Sequence, residues 1–290
     1  MIPPPFDYHR PSSLAEATAL LARLGEEARP LAGGHSLLPM MKLRLASPAH
    51  LVDLGEVAEL RGIAIGSDRV RIGAMVTQRA ILADEELARV LPILRETAFQ
   101  IADPQVRARG TIGGNLANGD PGNDMPAVMV ALDASYVLVG TAGERRVPAR
   151  GFYEAAYVTA LRAGEILAAV EIPRPPTGHG WAYEKLKRKV GDYATAAAAV
   201  VLEVGGGRVV RCAIGLTNLA DTPLLAEAAA LAVIGTELDP QALAKAAAEA
   251  EAIMQPASDG RGPARYRRKV GGVMVRRALE KAFARATGRG

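Results

Sequence analysis

A single cysteine, Cys212, occurs in the 290 residues, and this scarcity excludes more than any other feature of the composition. One thiol cannot make a disulfide within the chain, a four-cysteine iron–sulfur cluster or a cysteine-based zinc site. Cys212 lies in an apolar run that reads as a strand, where a buried structural thiol is expected. His9, His35, His50 and His179 are scattered without metal-ligand spacing. No apolar run is long enough to span a bilayer, and Met1-Ile2-Pro3-Pro4-Pro5 lacks the charged-then-apolar order of an export signal. These absences predict a cytoplasmic protein.

Aromatic residues are also few, 4% of the chain, while alanine is abundant. Close packing through small side chains is therefore expected. The formal net charge is +4, from 35 Lys+Arg against 31 Asp+Glu, and the basic excess gathers at Arg261, Arg265, Arg267, Arg268, Lys269, Arg276, Arg277, Lys281 and Arg285. Without stacking aromatics this segment does not read as a nucleic-acid surface. A solvated helix face, or a contact with an acidic partner subunit, is expected instead.

Several catalytic signatures are missing. No Gly-x-Gly-x-x-Gly follows a strand with an acidic residue farther on, no Walker lysine follows a glycine turn, and there is no Gly-x-Ser-x-Gly elbow or histidine triad. What the chain does have is two glycine-rich segments, Ala32-Gly33-Gly34-His35-Ser36 and Thr111-Ile112-Gly113-Gly114-Asn115. Each is read as a turn whose consecutive N–H groups, unobstructed by Cβ, can approach a phosphate. Ser36, Thr111 and Asn115 add a hydroxyl or amide. Together they form a split cradle suited to the pyrophosphate of FAD, a cofactor that carries its own redox chemistry and needs no obvious protein acid, base or nucleophile.

The local patterns place these segments. Ser13-Leu14-Ala15-Glu16 reads as a capping box opening a helix that ends at Gly25. A short strand at Arg29–Ala32, the first glycine turn, a helical stretch from Leu38 to Leu43 and a strand at Leu51–Leu54 make a βαβ-like unit. Ile63, Ile65, Val70 and Ile72 alternate as a hairpin, and helical patterns follow at Ile81–Ala88 and Pro92–Ile101. Asp124 is placed to cap a buried helix through Leu132. Strands are expected around Tyr136–Val139, Arg145–Val147 and Ile166–Ile172. The stretch Pro173-Arg174-Pro175-Pro176-Thr177-Gly178-His179-Gly180 reads as a linker. Beyond it lie three strands, with Gly205-Gly206-Gly207 as a hairpin turn, then two Ala-rich helices and a final basic one.

Further segments extend the pattern: Ile101-Ala102-Asp103-Pro104-Gln105, Gly119-Asp120-Pro121-Gly122-Asn123-Asp124, Tyr183-Glu184-Lys185-Leu186-Lys187-Arg188-Lys189 running into Gly191-Asp192-Tyr193-Ala194, and Ala257-Ser258-Asp259-Gly260-Arg261-Gly262-Pro263. With both glycine segments, they make essentially the full length resemble the medium, FAD-binding subunits of the molybdenum hydroxylases, most closely the carbon monoxide dehydrogenase branch. The resemblance implies an α+β protein: a two-subdomain FAD-binding domain of the vanillyl-alcohol-oxidase/PCMH type at 1–177 (subdomains about 1–57 and 58–177) and a C-terminal flavoprotein domain at 178–290. That second domain would hold a three-stranded antiparallel sheet and helices.

By the same resemblance, Ala32, Gly33, Gly34, His35 and Ser36 with Thr111, Ile112, Gly113, Gly114 and Asn115 hold the diphosphate of noncovalent FAD, and Asp124 contacts the cofactor. Lys185 and Tyr193 approach the isoalloxazine, the lysine to stabilise the reduced anion and the tyrosine to cover a ring face. The expected partners are a small iron–sulfur subunit with two [2Fe–2S] clusters and a large subunit carrying molybdenum cofactor and copper, in a dimer of heterotrimers. The expected activity is electron transfer from those clusters to an external quinone-type acceptor, in the cytoplasm or peripherally at the inner face of the cell membrane. The alternatives are the equivalent subunit for an aldehyde, purine or N-heterocycle, a standalone FAD reductase, and a purely structural module.

Overall fold

The computed structural model describes residues 2–289; Met1 and Gly290 lie outside them. Strand β1 (Asp7–His9) comes before the first helix, α1 (Leu14–Leu24). Ser13 caps α1 by accepting from Glu16 N, as the sequence predicts, and Gly25 ends it at φ +61°. The glutamate half of the box is displaced by one residue, because the Glu16 carboxylate takes the backbone N–H and hydroxyl of Ser12. Next come β2 (Ala28–Leu31), α2 (Leu37–Lys42) and β3 (His50–Asp53). The three strands form a parallel sheet in the order β1-β3-β2. Strand β1 has no signature of its own and is held by pairing with β3.

The hairpin of β4 (Ile63–Ile65) and β5 (Arg69–Gly73) is antiparallel, as the alternation predicts. The helical pattern expected over Ile81–Ala88 is instead two short helices, α3 (Gln78–Ala83) and α4 (Glu85–Val90). Asp84 breaks the run by leaving the helical conformation and capping Leu87 N with its carboxylate. Then follow α5 (Pro92–Gln100), α6 (Pro104–Arg109), α7 (Ile112–Ala117) and α8 (Met125–Ala131). Strands β6 (Ser135–Gly140) and β7 (Gly143–Pro148), the small pair β8 (Tyr153–Ala155) and β9 (Val158–Thr159), and β10 (Ile166–Pro173) complete this stretch. A five-stranded sheet runs β4-β5-β10-β6-β7.

Past the proline-rich loop, β11 (Gly180–Leu186), β12 (Ala196–Gly205) and β13 (Arg208–Thr217) make the expected antiparallel sheet. Gly206 and Gly207, at φ +58° and +80°, form the predicted tight turn. A fourth strand, β14 (Leu224–Leu225), joins the edge of this sheet. Two residues are too few to show alternation. Helices α9 (Glu227–Leu231), α10 (Pro240–Ile253) and α11 (Ala264–Ala286) end the chain.

This last sheet is buried on both faces. Ala197 and Ala199 of β12 enter the core shared with α5, α7, α8 and the five-stranded sheet. Their neighbours Ala196, Ala198, Val200 and Leu202 point to the other side, onto α10 and α11. The small residues allow close approach: a Cβ on Gly215 of β13 would stand 2.1 Å from the Ala127 carbonyl oxygen of α8. The basic C-terminal segment does not form a wholly solvated face. Arg267 of α11 is only 2% exposed, and its guanidinium donates to the carbonyls of Thr195, Ala257 and Asn218. Lys281 and Arg285 pair with Glu96 of α5. Backbone carbonyls and the carboxylates of Glu96, Glu184 and Asp259 hold these cations.

Candidate functional site

A cleft of about 540 Å³ opens where the parallel sheet, the start of α3, the α5–α6 loop, α7, the start of β10 and β11 with the loop after it meet. Ala32, Gly33, Gly34, His35 and Ser36 line it, together with Thr111, Gly113, Gly114, Asn115, Asp124, Lys185 and Tyr193. Residues more than 150 positions apart therefore face one space, on the order of a cofactor site. Ile112 alone among the expected site residues is absent from the lining. It is fully buried in the hydrophobic core.

The two glycine segments are not equivalent. In the first, Gly34 adopts φ +76°, and a Cβ on Gly33 would stand 2.4 Å from the Arg109 carbonyl oxygen. Glycine at both positions is thus demanded by backbone geometry and by contact with the segment before Thr111. Among the described residues, no protein acceptor takes the N–H groups of Gly33, Gly34, His35 and Ser36. This run of free donors fits an anionic diphosphate.

The second segment is not the open turn expected from its sequence. Thr111 is the N-cap of α7, and its hydroxyl accepts from Gly114 N at 3.0 Å. Ile112 N and Gly113 N donate to the carbonyls of Val76 and Ala74, each at 2.9 Å, and Asn115 N to the Thr111 carbonyl at 3.1 Å. The pairing with the 74–77 loop and the bonds back to Thr111 consume these donors. Gly113 serves close packing, because a Cβ there would come within 2.4 Å of the Ala74 Cβ. The segment's free polar group is the Asn115 side-chain oxygen, which is buried without a partner.

Asp124 also departs from expectation, since its side chain makes no capping bond to α8. Its carboxylate accepts instead from Lys185 Nζ at 2.8 Å and from the Tyr183 hydroxyl at 2.5 Å. Both members of the Lys185–Asp124 ion pair are nearly inaccessible, at 1% and 6% side-chain exposure. Burial pushes the Asp124 carboxyl above its ordinary range, opposed by the Lys185 charge and the hydrogen bonds. Lys185 thus reaches the cleft as half of a neutral pair rather than as an isolated cation. Lys187 lies close by, its Nζ 3.3 Å from the Gln100 carbonyl oxygen.

Tyr193 stands at the rim. A Cβ on Gly122 would meet its ring at 2.7 Å, and the Arg261 guanidinium lies 5.8 Å from the ring centre. The same tyrosine lines a smaller hollow of about 260 Å³ with Asp120, Tyr157, Asn218 and Arg261. Burial and the Asp120 carboxylate raise its hydroxyl pKa. Away from the cleft, Cys212 is half-buried rather than fully buried as the sequence suggests, and burial pushes its thiol up to about 12.

Sequence reading missed Gln78, Asn118, Asn123 and Tyr157. Asn123 is the clearest case: its amide donates to the Asn115 carbonyl at 2.8 Å and braces the second glycine segment. Its only signal was its place in the Gly119–Asp124 segment. Gln78 begins α3 behind the capping Thr77, and nothing in a lone glutamine at a helix start marks it as facing a cleft.

A run of free N–H donors on a β–turn–α unit, facing a cleft closed by a second sheet, defines a binding protein for an extended, diphosphate-bearing cofactor. Residues 4–175 match the family model described as the FAD binding domain in molybdopterin dehydrogenase, and residues 181–282 match the CO dehydrogenase flavoprotein C-terminal domain. The chain belongs to this family of FAD-binding molybdopterin dehydrogenase subunits. It is 63% identical over 286 residues to the carbon monoxide dehydrogenase medium chain of Afipia carboxidovorans, covering 99% of each chain. To the corresponding medium chain of Hydrogenophaga pseudoflava it is 50% identical, covering 98% of this chain and 99% of the other. A crystal structure of a Cu,Mo-CO dehydrogenase in its cyanide-inactivated form superposes at a TM-score of 0.97, with 63% identity, over 98% of this chain and 100% of that one.

Proposed function

We propose that this chain is the FAD-carrying medium subunit of a carbon monoxide dehydrogenase of the molybdenum and copper type. The observation that carries the reading is the likeness to such medium chains at 63% identity over 99% of both chains. The cleft supports it through chemistry. The free N–H groups of residues 33–36 suit the diphosphate, and the Lys185–Asp124 pair and Tyr193 mark the part where a flavin ring would lie. FAD supplies a centre that accepts electrons singly and releases them in pairs.

The protein's own residues do the rest. Gly33 and Gly34 let the turn close on the anion, and Asn115 offers an acceptor. Asp124 fixes Lys185 so that its ammonium orients on the cleft without adding net charge. Tyr193 covers the rim and limits solvent. With one cysteine, the chain holds no cluster of its own, so electrons come from another polypeptide. We place that donor on a small subunit with two [2Fe–2S] clusters, and carbon monoxide oxidation on a large subunit carrying molybdenum and copper, in a dimer of heterotrimers.

A quinone-type acceptor and a cytoplasmic place, free or against the inner membrane face, belong to the same proposal. Among the described residues no helix is long and apolar enough to cross a membrane. We also propose a domain boundary at 177/178, with subdomains meeting near 57. The proline-rich loop and the separate family matches on its two sides support it.

The test is the visible spectrum of the natively purified assembly, recorded anaerobically before and after carbon monoxide. Bleaching of flavin and iron–sulfur absorption together is expected. A flavin spectrum unmoved by carbon monoxide but bleached by an aldehyde, purine or N-heterocycle would move the chain to another molybdenum hydroxylase.

A further inference from the structure

Gln78 is only 2% exposed, yet neither atom of its side-chain amide has a hydrogen-bond partner. Because both amide atoms are unpaired, the anomaly does not depend on which is oxygen and which nitrogen. Leaving such a group unpaired in a protein interior is costly, because its bonds to water are lost and nothing replaces them. The residue is held firmly all the same: its backbone N–H donates to the Gly110 carbonyl at 2.9 Å, and Thr77 caps the helix it begins.

Gln78 lines the cleft beside Gly110, Thr111, Gly113 and Gly114. Gly110 is also the neighbour of the first glycine turn, its Cα 2.9 Å from the point a Gly33 Cβ would occupy. The unpaired amide therefore sits at the seam between the two glycine segments. Asn115, a half-buried amide lining the same cleft, has a buried side-chain oxygen without a partner as well.

Their chemistry narrows the ligand group. Phosphate oxygens only accept hydrogen bonds, so a diphosphate can satisfy Gln78 Nε2 but neither Gln78 Oε1 nor Asn115 Oδ1. Those oxygens need donors. A sugar or polyol hydroxyl both donates and accepts, and FAD carries such hydroxyls on both sides of its diphosphate, on the ribityl chain and on the adenosine ribose.

We propose that Gln78 is a cofactor-holding residue that grips the hydroxyl-bearing chain next to the FAD diphosphate, accepting from a hydroxyl through Oε1 and donating through Nε2. Asn115 Oδ1 takes a second hydroxyl. The open N–H groups of residues 33–36 then serve the charge of the cofactor, and the two amides serve its sugar. This division explains why the second glycine segment can use up its backbone donors internally and still face the cleft. The proposal rests on the FAD reading above.

The test uses the native assembly, stripped of flavin and titrated with FAD while flavin fluorescence is followed. Gln78→Leu should weaken FAD binding by roughly tenfold or more, while the melting temperature of the flavin-free protein stays level or rises because an unpaired polar group has gone. Gln78→Glu keeps the acceptor but loses the donor and places negative charge near the diphosphate, so it should bind FAD more weakly still. Gln78→Met is judged by the same criteria if the leucine variant does not fold. Titration with FMN and with ADP distinguishes the sugars: loss confined to FMN assigns the ribityl chain, and loss confined to ADP the ribose. FAD affinity within twofold of wild type in the folded Leu or Met variant overturns the proposal. A wild-type assembly that takes up no FAD overturns the FAD reading itself, and Gln78 with it.

Discussion

Replacing Lys185 with Met should destabilise the protein strongly, in a way that depends on pH. The ammonium is 1% exposed and lies 2.8 Å from an Asp124 carboxylate that is itself only 6% exposed. Removing one partner of a buried pair leaves the other charge uncompensated, at a cost of about 3–5 kcal/mol. For a chain of this length that corresponds to a fall in melting temperature on the order of 10 °C. The Tyr183 hydroxyl bond to Asp124 survives the substitution and holds the loss toward the lower end.

The sign of the pH effect follows from Asp124. Burial already raises its pKa, so the folded state binds that proton more readily than the unfolded chain. The contribution of this group is full below the unfolded carboxyl pKa and declines as pH rises through the folded value. Without Lys185 the pKa rises further. The deficit of Lys185→Met should be largest near pH 8 and shrink toward pH 5. Asp124→Asn added to Lys185→Met should recover at least half of it, because a neutral pair no longer buries a charge. Urea unfolding of flavin-free protein at both pH values measures this, free of the stability that bound cofactor adds. A single variant within about 1 kcal/mol of wild type at pH 8 would refute the reasoning.

Gly33→Ala should place its methyl 2.4 Å from the Arg109 carbonyl oxygen and force the two glycine segments apart, costing about 1–3 kcal/mol; thermal melting and flavin content of the purified assembly should fall together. Arg267→Met removes the guanidinium that gathers the carbonyls of Thr195, Ala257 and Asn218. It leaves those acceptors unpaired at a cost of about 1–3 kcal/mol for each one that stays buried, and Arg267→Lys should rescue little of this, since a point charge cannot span the same fork. Denaturant titration of the two Arg267 variants checks the claim.

Much of the fold was legible because its signals are local. The Ser13 cap, the tight turn at Gly206-Gly207 and the buried helix after Asp124 each depend on a few consecutive residues and their backbone preferences. So did the alternating strands of the β4–β5 hairpin. The glycine segments and the later family segments also contain about half of the residues that line the cleft. Non-local pairing accounts for most of the misses. Strand β1 exists through β3, 43 positions away in the pairing of Asp7 with His50, and β14 exists through β13.

The sequence by itself determined the family, the two glycine segments, the incapacity for a cluster within the chain and the identity of about half of the residues that face the cleft. Each rests on residue type, which is covalent and requires no geometry. Only the tertiary structure decided how those residues are used. It showed that the donors of residues 33–36 are free while those of 112–115 are consumed, and that Asp124 holds Lys185 rather than capping a helix. It also showed that Arg267 is enclosed and that Gln78 is buried with its amide unpaired. Hydrogen bonds and burial depend on which distant segments share a space, and Asp124 and Lys185 meet across 61 positions. That choice is made by packing of the whole chain, so no local pattern could carry it.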